Sequence, residues 1–181
     1  NVLQATVKIP GAATVSIIAM AASPAGQFLV SGGLNAAPNT GWLGWLSPGT
    51  DQVVRFLDTA PFVAQGLCFA PDGTIWAAGV ENGPETGPIP RPYNILRHYS
   101  ATGASLDSHL PKDSFGRLGE IAASNSFLVC SGDRLGFYSR SAGEWMEFSY
   151  GGQALGRWKG LFPGITATGF ASASSVTGVG M

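Results

Sequence analysis

The stretch GLCFAPDGTIWAAG at residues 66–79 has near-copies elsewhere, AMAASPAGQFLVSG at 19–32 and GEIAASNSFLVCSG at 119–132. No other feature limits the fold as strongly, because a self-repeat obliges each copy to build the same local unit. Aligned without gaps, Gly26, Gly73 and Ser126 fall together, as do Gly32, Gly79 and Gly132. Turn-forming residues precede the first of these columns: Pro24-Ala25, Pro71-Asp72 and Ser124-Asn125. Asp72-Gly73 between two apolar runs is a strong hairpin signal. The branched and aromatic residues that follow, Phe28-Leu29-Val30, Ile75-Trp76-Ala77 and Phe127-Leu128-Val129, suit strands. Each copy therefore reads as a β-hairpin.

A degraded fourth copy, GFASASSVTGVGM, starts at Gly169. The starting points recur at roughly 50-residue intervals, the range of four-stranded propeller blades. No segment carries apolar residues at helical spacing over three turns, which excludes helical solenoids. Further strands fill each period: Trp42–Leu46 and Val53–Leu57 in the first, Ile95–Ser100 and Ser105–Leu110 in the second, Arg134–Ser139 and Trp145–Tyr150 in the third. The expected architecture is all-β, a single propeller-like domain over residues 1–181. Its parts are an outer strand at 4–9, antiparallel four-stranded blades at about 15–58, 62–110 and 117–150, and a partial blade at 165–181. About three and a half blades result, while closed propellers typically have four to eight. A fragment, an open arc or a ring completed by neighbouring chains is the expectation.

Residues 66–103, with G-x-x-F-x-P-D-G-T-I-W and a later L-R-H-Y-S-x-T-G, resemble blades of the NHL-repeat and gluconolactonase-like propellers. The likeness covers one blade well and two loosely. It implies a fold, and for the gluconolactonase-like enzymes a divalent metal held by carboxylates and Asn in the central channel. The Asp that often ends the second strand of NHL-type blades is Gly in all three copies here.

Charged residues make up 12% of the chain and the net charge is -1, so no basic face for nucleic acid or membrane attraction is expected. The longest apolar run, near Val15–Ala22, is too short to span a bilayer. Cys68 and Cys130 lie in apolar, strand-like stretches and read as small buried core residues, not as a disulfide framework or metal site. The chain starts at Asn1 with no signal peptide, which is expected of a processed product or a piece of something longer. A charge-poor surface favours an extracellular or periplasmic setting.

Candidate ligand-binding residues lie in long connections. The segment VENGPETGPIPRPY at 80–93 carries four prolines and offers Glu81, Asn82 and Arg91 to a polar ligand. The segment GGQALGRWKGLFPG at 151–164 sets Trp158 between two cations, where it suits a sugar, a planar ligand or a cation, or packs between blades. Both segments are expected on one rim. Glu120, at an inner-strand position and near the base Arg117, is the strongest single carboxylate for a metal or general-base role. His98 and His109 have no nucleophile or acid at catalytic spacing. No phosphate loop, H-E-x-x-H or nucleophile elbow occurs, so no catalytic, metal or cofactor site is assigned. The leading expectation is a noncatalytic module that binds a protein, peptide or glycan through 80–93 and 151–164. The alternatives are a metal-dependent lactonase-like hydrolase centred on Glu120 and a structural subunit that self-associates through exposed strand edges.

Overall fold

Residues 15–34, 40–46, 53–82, 92–119, 122–123 and 126–160 are described by a computed structural model of the chain. The proposed outer strand at 4–9 and partial blade at 165–181 lie outside them. The described residues form three four-stranded antiparallel sheets. The first holds β1 (Val15–Ala22), β2 (Phe28–Leu34), β3 (Gly41–Leu46) and β4 (Val53–Asp58). The second holds β5 (Phe62–Phe69), β6 (Ile75–Glu81), β7 (Asn94–Tyr99) and β8 (Ser105–Pro111). The third holds β9 (Phe127–Ser131), β10 (Arg134–Ser139), β11 (Glu144–Ser149) and β12 (Ala154–Lys159). In every sheet the strands lie side by side in chain order, as successive hairpins require. A kinked 3-10 segment, Lys112–Leu118, leads from the second sheet towards the third.

The sheets stack face to face, with the second in the middle. Its strand β6, IWAAGVE, is buried at every position because both of its faces are covered. Strand alternation divides those residues between two cores. Ile75 and Ala77 meet Leu29, Leu43 and Trp45 of the first sheet, together with Leu67 and Tyr99. Trp76 and Ala78 face the other way, into a core with Leu128, Leu135, Phe137 and Phe148 of the third sheet. Each fully buried large side chain here stabilises the fold by roughly 1.5–3 kcal/mol relative to exposure. One polar tie crosses the first interface: buried Ser31 Oγ donates to the Ala64 carbonyl at 2.9 Å.

The first strands of the sheets neighbour one another, β1 beside β5 and β5 beside β9. Gly66 abuts Leu128, and two residues further along both strands Cys68 is joined to Cys130 by a disulfide with a Cα–Cα distance of 5.6 Å. This parallel stepping fixes the direction of β9 relative to β5. The bond corrects the reading of the cysteines as separate core thiols. The residues are 62 positions apart in sequence, and only the stacking of two sheets reveals that their strands are neighbours.

Four connections share one turn. In Ser23–Gln27, Ala70–Thr74, Ser100–Ala104 and Ser149–Gln153 the first residue's N–H donates to the last residue's carbonyl at 2.8–2.9 Å. The fourth position is Gly26, Gly73, Gly103 and Gly152, with φ between 79° and 84°, a conformation that side chains with a Cβ rarely adopt. The glycine column of the repeat is thus explained in the first two copies. The third copy differs. Phe127–Ser131 is the first strand of its sheet, not the second, and the turn is Gly132-Asp133. The third sheet therefore spans 127–159, one strand later than the expected 117–150, and takes in Ala154–Lys159, which reads as a connection in the sequence. Phe-Leu-Val suits a first strand as well as a second, so composition alone does not separate the two registers. Among the described residues no helix is long and apolar enough to cross a membrane.

Candidate functional site

Strands β10 and β11, RLGFYS and EWMEFS, alternate between two faces. Leu135, Phe137, Met146 and Phe148 pack towards the middle sheet. The intervening Gly136, Tyr138, Trp145 and Glu147 occupy the opposite, outward face, and the register of β12 adds Gly156 and Trp158 to it. Across the four strands this register aligns Phe127, Tyr138, Trp145 and Trp158 in one aromatic row. Phe127 and Tyr138 stack at 6.4 Å with an interplanar angle of 21°.

The next row is Gly136, Glu147 and Gly156. A Cβ at Gly136 would fall 2.3 Å from the Trp145 ring, and one at Gly156 would fall 2.1 Å from the Trp158 ring. Both indoles therefore lean the same way and lie over bare backbone, which a side chain at either glycine would prevent. Trp145 Nε1 donates to Glu147 Oε1 at 3.1 Å, which fixes that ring's orientation. Glu147 Oε2 accepts from Arg134 Nη1 at 3.0 Å, and Arg134 Nε donates in turn to Asp133 at 3.0 Å. Trp158 is 42% exposed. The face presents two flat indoles around a carboxylate, with a guanidinium at its edge.

Strand β12 is held from the other side. The Glu144 carboxylate is buried and accepts from Arg157 Nε at 2.6 Å, while Lys159 Nζ lies 3.0 Å from its second oxygen. Arg157 also donates to the Ser114 carbonyl at 3.2 Å and lies over the Phe115 ring, which ties β12 to the 3-10 segment. The two cations flanking Trp158 are thus occupied on the reverse face of its strand.

The residues proposed from sequence are dispersed. Glu81 ends β6, is buried, and pairs with Arg97, whose guanidinium lies over the Phe62 ring. Asn82 is half-buried and its backbone N–H donates to the Pro61 carbonyl at 3.0 Å. Arg117 is exposed in the 3-10 segment. Arg91 and Glu120 lie outside the described residues, as do 83–91 of the first proposed loop and 161–164 of the second. The expectation of a shared rim needs correction. The β6-to-β7 connection and the turn Tyr150–Gln153 leave opposite ends of their stacked sheets, because β9 runs parallel to β5 and each later strand reverses direction. Trp158, near the end of β12, sits at the β6-to-β7 end.

The opposite end gathers the Gly-containing turns. Asp72 is held below the usual carboxylate range, chiefly by the Thr74 hydroxyl, whose Oγ1 donates to it at 2.6 Å, and also by the Thr74 N–H. Asp133 is lowered by Arg134, and burial raises Tyr150. Between the second and third sheets the His98 ring stacks on Trp76 at 4.3 Å. Asp107 lies 3.3 Å from His98 and 2.9 Å from His109, and the His109 ring packs on Gly152. Both histidines thus pack at this end, His98 on Trp76 and His109 on Gly152, with Asp107 between them.

Trp145, Glu147 and Arg134 were not singled out by the sequence. Two features point to them in retrospect: the W-x-E spacing that puts Trp145 and Glu147 on one face, and the Gly two residues before Trp158. Combining these requires the register of the turn at 149–153.

No family model matches the chain, and no curated protein matches it. Among solved structures it is similar to a protein of unknown function from Bacteroides caccae, at 14% identity and a TM-score of 0.49. The match covers 81% of this chain and 47% of that one, so the chain spans about half the length of that structure.

Proposed function

We propose that the chain is a noncatalytic ligand-binding module built from propeller blades, with its ligand on the outward face of the third sheet. The blade reading draws support from three chain-ordered four-stranded sheets whose first strands neighbour one another. The observation that carries the binding reading is the exposed Trp158 indole, laid over Gly156 beside Glu147. Tryptophan is among the side chains that most often supply binding energy at recognition surfaces. Several ionisable groups elsewhere act structurally: Glu81 with Arg97, and Glu144 with Arg157 and Lys159. The disulfide between the second and third sheets favours an oxidising compartment, where such bonds form and persist.

Immobilised wild-type chain and the double variant Trp158→Ala/Arg134→Ala, exposed to the same panel of peptides, glycans and soluble copies of the chain, test this reading. A ligand retained by the wild type should be lost from the variant while its unfolding midpoint stays unchanged. Equal retention by both proteins moves the binding surface elsewhere.

A further inference from the structure

We infer that the outward face of the first sheet is a self-association surface, on which a second copy of the chain docks through the same face across a two-fold axis. Ala19, Ala21, Leu29 and Leu43 pack towards the second sheet. The residues between them point the other way in two cross-strand rows, Met20, Val30, Gly44 and Phe56, and Ile17, Gly32, Trp42 and Asp58. Val30 and Trp42 are buried there, and Phe56 is stacked on Trp42 at 6.1 Å. Ile17, Met20 and Phe56 are 57%, 65% and 44% exposed. Among the described residues eight large apolar side chains are exposed, and these three together with Ile18 are half of them. The other four are spread over β8, the 3-10 segment and β12, so apolar surface is concentrated on the first sheet.

The internal repeat identifies what such a face is built to meet. Aligning 19–32 with 66–79 places Met20 on Leu67, and the same alignment carried back places Ile17 on Ala64. A register irregularity follows Ile17 in β1 and Ala64 in β5, so the two strands are equivalent in structure as well. Leu67 and Ala64 are 6% and 1% exposed, because the first sheet lies on them. No described sheet lies on Met20 and Ile17. The stacking of sheet on sheet therefore continues naturally at this face. A flat sheet face suits a second sheet face, packed about 10 Å away with its strands aligned. A small ligand needs a concave site, and an added peptide strand pairs with a sheet edge.

A second copy brings a matching surface. The one charged residue in the two rows is Asp58, on the outermost strand, so face-to-face pairing leaves no full charge in the centre. A charge-free centre that contains Met and aromatic residues, with charge at the rim, is the composition of an interface core. The outward row of the third sheet is not the complement, since Phe127, Tyr138 and Trp145 already carry other interactions. A copy therefore offers the same patch, and one patch used by both partners closes on itself as a dimer. Four exposed side chains fall well short of the roughly 20–30 residues a side of a standard interface, so the pairing is reversible and depends on concentration. It uses neither Trp158 nor Glu147, and it stands or falls separately from the ligand-binding reading.

Sedimentation equilibrium of the purified chain, from low micromolar to submillimolar concentration, tests the inference. The weight-average mass should rise from that of the monomer towards that of the dimer and no further. Met20→Glu, which sets like charges against each other across the two-fold axis, should weaken association about tenfold or more. Ile17→Ser should weaken it several-fold. Leu106→Ser removes an exposed apolar side chain from β8 instead and should leave association unchanged. Far-UV spectra and urea midpoints confirm that each variant is folded, and should Met20→Glu not fold, Ile17→Ser carries the same decision. A monomer at every concentration overturns the inference. So does a dimer that Met20→Glu and Ile17→Ser leave intact, and so does growth beyond the dimer, which would mean a head-to-tail contact.

Discussion

Trp145 and Trp158 stand directly opposite one another on β11 and β12, and each indole lies across a glycine of the adjacent cross-strand row. Opposed side chains on antiparallel strands have Cβ atoms about 5 Å apart, and from there the rings diverge, Trp145 over Gly136 of β10 and Trp158 over Gly156 of β12, with Glu147 between those glycines. The arrangement recurs inside the protein. In the first sheet Trp42 packs against Gly32 and Gly44 and stacks on Phe56 at 6.1 Å, but there the indole is buried. A tryptophan laid over glycine thus serves packing in one sheet and supplies a solvent-facing ring in another.

Glycines under movable rings and glycines under backbone should respond oppositely to substitution. The nearest atoms to a Cβ at Gly156 belong to the Trp158 ring, which can swing into solvent, so Gly156→Ala should change stability by less than about 0.5 kcal/mol. A Cβ at Gly41 would fall 1.7 Å from the Phe62 carbonyl oxygen, which belongs to the backbone. Gly41→Ala should cost roughly 2–4 kcal/mol. Urea unfolding of the two variants checks the contrast, and equal midpoints would refute it.

The disulfide closes a loop across two sheets. Cys68→Ala/Cys130→Ala should lose about 2–4 kcal/mol, in keeping with a sequence separation of 62 residues. Thiol alkylation of the denatured, unreduced wild type followed by mass measurement should find neither cysteine modified. Two alkylated cysteines would show that the bond is absent.

Buried Glu144 is held by two cations of unequal exposure. Glu144→Ala should cost roughly 2–3 kcal/mol because it strands Arg157, which also holds the 3-10 segment. Lys159→Ala should cost less than about 0.5 kcal/mol, since that side chain is 71% exposed. Denaturant midpoints decide. A larger loss at Lys159 than at Glu144 would contradict the structure.

Asp72 adds a pH dependence of known sign. Its folded-state pKa is depressed below the ordinary aspartate value, chiefly by the Thr74 hydroxyl. The carboxylate therefore stabilises the fold above that ordinary value, and this contribution fades as pH falls through the depressed one. Being largely exposed, the group contributes no more than about 0.5 kcal/mol. Asp72→Asn should be less stable than wild type at pH 6 and nearly equal to it at pH 2, as measured by urea unfolding at both.

The turns made the architecture legible. Gly26 and Gly73 sit where a positive φ is required, and the hairpins they close are where the repeat places them. In the third unit the same reasoning slipped by one strand. Phe127-Leu128-Val129 matches Phe28-Leu29-Val30 in composition, and Gly132-Asp133 closes the turn between the first and second strands of its sheet, where the alignment reads it as the loop between second and third. That slip hid β12, and with it the pairing of Trp158 with Trp145. The disulfide was illegible for a related reason, since two cysteines in apolar strands look alike whether or not their strands touch. The pairing of Glu81 with Arg97 was not legible, because Arg97 sits on the next strand, across a connection whose length conceals their proximity.

The chain's five tryptophans allow a direct measurement of the central claim. Trp42, Trp45 and Trp76 are buried, whereas Trp145 and Trp158 lie on the outward face of the third sheet. In a ¹⁵N-edited spectrum of the indole N–H groups, titration with the ligand retained by the immobilised chain should move the Trp158 signal saturably, with those of Trp42, Trp45 and Trp76 still. Movement confined to the buried indoles, or a bound ligand that leaves Trp158 unmoved, would contradict it.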